Sequence, residues 1–317
     1  MDKHKILYTY QSGFRSKHST DSCLTFLNDK ILNGIDKGLV TGMILIDFQK
    51  AFDTIDHKIF LMKLDCIGFN TSTISWYQSY LENRKFKVNI ENEYSNPGKL
   101  KCGVPQGSIL GPLIFIIYVN DMPQSVDCDL LLYADDTCLG CTDTNHKTIE
   151  IKLNKNFNSL CDWFVENKLS IHFGEEKTKS IMFGSKRRLK TLDKLNIKRG
   201  DINITQHKKV TYLGCILNDS LSGESSMACK VLTKIGGRLN FLQRKQSFLN
   251  SKLRRMLCNA LIQPHFDYAC SAWYPNLNKN LTKKIQVAQN KCIRFCLGLE
   301  SRTRVGIDEF VDINSTS

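Results

Sequence analysis

Leu130-Leu131-Leu132-Tyr133-Ala134-Asp135-Asp136-Thr137 decides how the chain is read: an apolar run stops at two adjacent carboxylates and resumes as Cys138-Leu139. Side chains alternate between faces along a strand, so neighbouring aspartates serve one site only where the backbone turns. The stretch therefore predicts a strand-turn-strand hairpin with Asp135-Asp136 at its tip. Such a tip is either a solvated turn, since Asp is a common turn residue, or a metal site, since carboxylate oxygens suit hard cations such as magnesium. A second apolar strand, Met43-Ile44-Leu45-Ile46-Asp47-Phe48, also ends in an aspartate. Two strands delivering acids to one edge can hold two metal ions.

Composition narrows the class. The 317 residues, 42% hydrophobic and 24% charged, suffice for one large or two ordinary globular domains. No apolar run approaches the roughly 18–20 residues of a membrane span. The start, Met1-Asp2-Lys3-His4-Lys5, leads only into Ile6-Leu7-Tyr8, too short for a secretory signal. The expectation is an intracellular protein, of cytoplasm or nucleus, with no membrane partner. Thirteen cysteines, an odd number, argue against a closed disulfide framework. Those in apolar runs, such as Cys23, Cys66, Cys161 and Cys258, behave as small hydrophobes. Cys138-Leu139-Gly140-Cys141 could be half of a zinc site, but no second pair at finger spacing accompanies it. Residues 1–185 carry 20 Lys and Arg against 22 Asp and Glu, whereas residues 186–317 carry 24 against 9. A basic half beside an acid-bearing half suits a nucleic-acid enzyme, cations for phosphates and carboxylates for metals; a solvated lysine-rich surface is the plain alternative.

Two ions roughly 3.5–4 Å apart activate an attacking hydroxyl and stabilise a leaving oxygen in phosphoryl transfer, chemistry shared by polymerases and nucleases. Tyr133-Ala134-Asp135-Asp136 and Asp47-Phe48-Gln49-Lys50-Ala51-Phe52-Asp53 together resemble the reverse transcriptases of non-LTR retrotransposons, the jockey-like group especially. Gln11-Ser12-Gly13-Phe14-Arg15, Val104-Pro105-Gln106-Gly107-Ser108, Lys177 and Tyr212-Leu213-Gly214 extend the likeness from about Tyr10 to Leu299. The resemblance implies that Asp47 and Asp135 bind two Mg2+ ions with Asp136 assisting. It implies that Phe52 lies beneath the sugar of the incoming nucleotide and excludes a 2′-hydroxyl. Gln106 and Gly107 would line the template and nucleotide pocket, Arg15 would touch the triphosphate, and Lys177 would protonate departing pyrophosphate. Tyr212, Leu213 and Gly214 would support the primer end. Each has a plain reading too: a capping arginine, a core aromatic, a loop before a buried helix, an exposed lysine.

Patterning supplies the elements between the motifs. Ser19 starts a helix that carries Leu24, Leu27, Ile31 and Ile35 and stops at Gly38. Helices are expected over 55–64, 72–82, 110–120 and 147–166, with Asp53 and Asp56 forming a capping box for the first of them. Lys85 to Ile90 alternates as a half-exposed strand. Three basic helices, about 226–243, 252–263 and 281–297, bear Lys234, Arg238, Arg244, Arg254, Arg255, Lys284, Lys291 and Arg294, as in a helical thumb laid along a duplex.

The fold expected is α+β: a right-hand polymerase palm with a split βαβ antiparallel sheet, partial fingers and a helical thumb. Fingers and palm are expected over 1–222 and the thumb over 223–317. The reaction expected is RNA-templated DNA synthesis, with RNA template, DNA primer and deoxynucleoside triphosphate as partners. Family members usually carry more fingers motifs and an endonuclease before Gln11, and no ribonuclease H acids are evident after the thumb, so a truncated element is expected. A catalytically silent nucleic-acid-binding remnant and a two-metal nuclease are the rival readings. Oligomeric state is left open.

Overall fold

The structure, a computed structural model, describes residues 6–221, 226–300 and 302–304. They form two compact units: the first runs up to Cys23 and then over Asn33–Lys208, and the second comprises Leu24–Leu32 with the described residues from Lys209 onward.

Helix α1 (Thr20–Asp36), whose middle belongs to the second unit, begins at Ser19, whose hydroxyl accepts from the Ser22 amide while the Ser22 side chain accepts from the Ser19 amide. Strand β1 (Val40–Ile46) is buried along its whole length. A strand covered on both faces has no solvent side to mark, which is why Met43-Ile44-Leu45-Ile46 shows no alternation. Helices α2 (His57–Ile67) and α3 (Thr71–Leu81) follow. The strand expected over Lys85 to Ile90 is broken into β2 (Lys85–Phe86) and β3 (Asn89–Ile90), which pair with β5 (Gly98–Lys99) and β4 (Glu93–Tyr94). Register slips between the two short ladders because this arm has no larger sheet to hold one register. Helix α4 (Leu110–Tyr118) buries most of its residues, Gly111 and Ile114–Tyr118 among them.

The acid-bearing hairpin is β6 (Asp129–Tyr133) and β7 (Asp136–Asp143). Then come α5 (His146–Glu166), β8 (Lys179–Phe183), the single turn α6 (Lys186–Leu189), the small hairpin β9 (Ile197–Arg199) with β10 (Ile202–Ile204), and β11 (Gln206–His207). The main sheet has the order β11-β8-β1-β7-β6, antiparallel except for β11 beside β8. Taking its four long strands in chain order as first to fourth, the sheet reads fourth-first-third-second, the split βαβ arrangement expected from the sequence. Ile44 and Ile46, Phe60 and Leu64 of α2, Phe115 of α4, and Phe157, Leu160 and Phe164 of α5 share one core on one face of this sheet.

The second unit starts with hairpin β12 (Lys209–Tyr212) and β13 (Cys215–Asn218). Helices α7 (Ser226–Gln243), α8 (Ser251–Leu261), α9 (Gln263–Asp267), α10 (Cys270–Trp273) and α11 (Lys279–Leu297) follow. The helix expected to reach Gln263 ends two residues sooner, because Pro264 fits only the first turn of a new helix, α9. Among the described residues no helix is long and apolar enough to cross a membrane, and none of the thirteen cysteines is in a disulfide.

Candidate active site

Tyr133 pairs with Asp136 across the hairpin, so the turn consists of Ala134 and Asp135, with Asp136 the first residue of β7. The expected tip of Asp135-Asp136 is thus shifted by one residue. Ala134 sits at φ 56°, a left-handed conformation that a Cβ makes costly. Gln11 holds it there. Its Oε1 accepts from the Ala134 amide at 3.1 Å and from the Gly13 amide at 2.8 Å, and the residue is 1% exposed. The strand-like segment around Gln11 lies parallel to β6: Leu132 N–H donates to Tyr10 O and Ser12 N–H to Leu132 O. Gly13 presses on the turn so closely that a Cβ there would lie 2.2 Å from the Ala134 nitrogen. Arg15 completes the brace, its Nη1 donating to the carbonyls of Tyr8 and Gln11 at 2.9 Å each.

Asp47 follows β1 directly. Ile46 pairs with Thr137, so one further step along the ladder sets Asp47 beside Asp136. By ladder geometry the Cα atoms of Asp47 and Asp135 are then within roughly 10 Å. The Asp47 amide donates to Thr178 Oγ1 at 3.3 Å, and its carbonyl accepts from His172 N–H at 2.8 Å. Backbone pinned on both sides leaves the carboxylate projecting, and Lys177 Nζ stands 3.5 Å from its Oδ2. Asp136 registers the company it keeps. Its carboxyl is pushed up to about 6, first by desolvation and then by the charges of Asp135 and Asp47.

Two loops build the rest. Gly103 N–H donates to Ile55 O and Val104 N–H to Phe52 O; a Cβ on Gly103 would meet the Asp53 carbonyl oxygen at 2.6 Å. The loop before α4 is therefore docked on the segment after Asp47. Gln106 Nε2 donates to Asp53 Oδ1 at 3.0 Å, and Gly107 at φ 81° has open space around it. The ring of Phe52 lies 4.7 Å from Phe115 and 6.2 Å, edge-on, from Phe14. The expected capping box does not form. Asp56 alone caps α2, accepting from Lys58 N–H and Ile59 N–H, because the helix starts at His57 and leaves Asp53 three residues too early, where it holds Gln106 instead. Lys168 Nζ at 2.6 Å from Asp56 then joins the N–H donors in keeping that carboxyl below the usual carboxylate range.

The structure thus gathers Asp47, Asp135, Asp136 and Lys177 at one sheet edge, and links Gln106 to Asp53 directly after Phe52. Tyr212, Leu213 and Gly214 belong to the second unit, at the turn of β12 and β13, where Leu213 and Gly214 take φ 45° and 73° and Tyr268 Oη donates to Leu213 O at 2.7 Å. Sequence reasoning gave roles in the first motif to Arg15 alone and missed Gln11 and Gly13. The available signal was an amide and a glycine two residues apart, ahead of a helix and with no structural duty of their own. Among the described residues no three His, Cys, Asp or Glu side chains already converge at metal-ligating range. The donor set still fits a hard divalent cation: carboxylate oxygens on one edge, with desolvation first and the charges of Asp135 and Asp47 second raising Asp136.

The reverse transcriptase (RNA-dependent DNA polymerase) family model matches residues 1–217. The probable RNA-directed DNA polymerases from transposon BS and from transposon X-element of Drosophila melanogaster are each 28% identical, over 93% and 95% of this chain. The RNA-directed DNA polymerase from mobile element jockey of Drosophila funebris is 27% identical over 90%. The chain spans about a third of the length of these relatives. Among solved structures, apo telomerase from Candida tropicalis aligns with TM-score 0.49 and 15% identity, covering 94% of this chain and 54% of that one. With the greater part of its length matched, the chain belongs to the reverse transcriptase family.

Proposed function

We propose that this chain is the polymerase portion of a non-LTR retrotransposon protein and catalyses RNA-templated DNA synthesis, joining a deoxynucleoside triphosphate to a primer 3′-hydroxyl with release of pyrophosphate. The observation that carries the reading is the register of β1 on β7, which sets Asp47 beside Asp136 at the mouth of the Ala134-Asp135 turn. Asp47 and Asp135 would hold two Mg2+ ions, with Asp136 assisting. When bound, such ions lower the pKa of the attacking hydroxyl and neutralise charge on the leaving oxygen.

The chain's own residues do the rest. Gln11 and Gly13 fix the turn so that Asp135 is delivered in one orientation, and Thr178 and His172 fix the backbone of Asp47. Lys177 keeps a cation beside Asp47, where it can donate a proton to departing pyrophosphate. Arg15 adds charge from the segment that braces the turn. Phe52, wedged between Phe14 and Phe115, presents a ring edge against the sugar and excludes a 2′-hydroxyl. Gln106, steadied by Asp53, and Gly107, with no side chain, shape the nucleotide pocket. Tyr212, Leu213 and Gly214 support the primer end, and the basic helices of the second unit, α7, α8 and α11, act as the thumb on phosphates.

Primer extension on an RNA template with deoxynucleotides and magnesium tests the reading. Elongation is expected, and Asp135→Asn should lower it by about 10³-fold or more, the scale of losing a group that stabilises transition-state charge, with an unaltered circular dichroism melt. Binding of primer and template without elongation, equal in the wild type and Asp135→Asn, would instead select the silent remnant. Cleavage in place of elongation would select the nuclease.

A further inference from the structure

The arm formed by β2–β5 hides almost nothing. From Glu82 to Cys102 every residue is exposed except Arg84 and Gly98, which are partly covered. Two short ladders and a few further bonds hold it, among them Val88 N–H to Ser95 Oγ, Ser95 N–H to Val88 O, Ser95 Oγ to Asn96 O, and Leu100 N–H to Arg84 O. A segment this thinly supported contributes little to the core, yet its charges are ordered. Lys85 pairs across the ladder with Lys99, so two ammonium groups share a face, an arrangement that is unfavourable by itself. Lys87 and Lys101 lie two residues beyond them in the chain, just outside opposite ends of the ladder. Among the described residues none of these four meets a carboxylate, whereas Lys152, Lys155, Lys168 and Lys177 of the same unit each do.

At the base of the arm the chemistry changes from charge to stacking. Arg84 donates through Nε to Tyr80 O at 2.7 Å and lays its guanidinium 4.4 Å over the Tyr80 ring. The Tyr80 ring is stacked on Trp76, 5.8 Å away and within 8° of parallel, and the indole is 54% exposed. Unpaired cations next to an exposed aromatic stack are the two parts of a single-strand binding surface: ammonium groups track the phosphates, and a ring face accepts any unpaired base.

We propose that this arm and the Trp76–Tyr80 face of α3 bind a single nucleic-acid strand outside the carboxylate site, Lys85, Lys87, Lys99 and Lys101 on its phosphates and Trp76 on a base. The proposal rests on the functional reading only in taking nucleic acid as the ligand. A duplex, with its bases already stacked, offers nothing to the indole.

The test is fluorescence anisotropy of the full chain with a labelled, mixed-sequence RNA strand over a range of salt, repeated with the DNA strand and with a duplex. Replacing all four lysines together (Lys85→Gln, Lys87→Gln, Lys99→Gln, Lys101→Gln) should weaken binding of the single strand about tenfold. It should also make the slope of log affinity against log salt shallower by about 3, at about 0.7 per phosphate contact. Trp76→Ala should weaken single-strand binding about fivefold or more with the slope unchanged and the duplex unaffected. A loss confined to RNA identifies an RNA strand, and an equal loss with DNA a sugar-indifferent one; both support the site. Unchanged affinity and slope in the four-lysine variant overturn it. So does a shift of oligomeric state on Phe86→Ser with Ile90→Ser alongside unaltered strand binding, which would make the arm a protein contact. Primer extension on the same samples separates the two claims: arm-dependent binding without elongation sinks the polymerase and spares the arm, and elongation with arm-independent binding does the reverse.

Discussion

The turn at Ala134-Asp135 and the arm from Arg84 to Lys101 are both β-hairpin structures of the first unit, and they are built on opposite plans. The turn carries anions and is braced from behind: Gln11 and Gly13, both buried, hold Ala134, and the backbone of Tyr10 and Ser12 is hydrogen-bonded to Leu132. The arm carries Arg84 and four lysines against Glu91 and Glu93, and almost nothing behind it is covered. Chemistry on a reacting phosphate tolerates little misplacement, since about 1 Å can cost about 10²-fold in rate. Holding a strand by its phosphates tolerates much more, because the attraction is long-ranged and indifferent to orientation. The difference teaches where rigidity is invested.

The contrast breaks most easily at Gly13. A methyl group there collides with backbone, not with the end of a flexible side chain, so Gly13→Ala must displace the turn or the segment that clamps it. The expected cost is about 3 kcal/mol of stability, read as a lower urea midpoint, together with a fall of about 10²-fold in primer extension at saturating template. Substituting Lys87 by alanine on the arm should leave the urea midpoint unmoved. Equal midpoints for Gly13→Ala and the wild type would show that the turn is as loosely held as the arm.

These two hairpins were not equally legible in the sequence. The carboxylate hairpin is legible only in company: acids at a turn are ordinary in solvent, and it is β1, also ending in an acid, that points to a shared site. The split βαβ sheet was expected from the family resemblance, not from these runs alone. What was hidden depends on contacts between distant segments. Gln11 looks like any polar residue until Ala134 is seen to need an acceptor, and nothing local marks Asp53 as the partner of Gln106. The arm was misread as one strand because alternation reports a half-exposed strand, not the sheet that would have to hold its register. The break before α9 could have been read from Pro264.

A smaller effect separates the two acids that the sequence placed together as caps. Asp56 accepts two α2 amides, whereas Asp53 holds an exposed amide side chain. Asp56→Ala should cost about 1 kcal/mol, a typical loss for a cap, with kcat for extension unchanged. Asp53→Ala should leave the melt within a degree or so of the wild type, as surface changes do, and raise the KM for deoxynucleotide by releasing Gln106. A melt lowered equally by both would return Asp53 to the cap.

The smallest expected change is the most specific, because it asks whether the acids at the turn are crowded enough to oppose one another. Asp136 is pushed up to about 6 from 3.8, so the folded chain binds that proton more tightly than the unfolded chain does. Below about pH 3.8 the group is protonated in both states and imposes no penalty. Between 3.8 and 6 it ionises only in the unfolded chain, and stability drains away as pH rises; above 6 the penalty is constant. Asp136→Asn, which cannot ionise, should therefore melt higher than the wild type in EDTA at pH 7.5, and the gain should shrink to nothing as pH falls toward 4. Magnesium should raise the melt of the wild type more than that of the variant, since a cation relieves the repulsion between carboxylates directly. If the variant melts no higher than the wild type at pH 7.5, then Asp47 and Asp135 do not press on Asp136, and the edge that the β1–β7 register creates is not one electrostatic site.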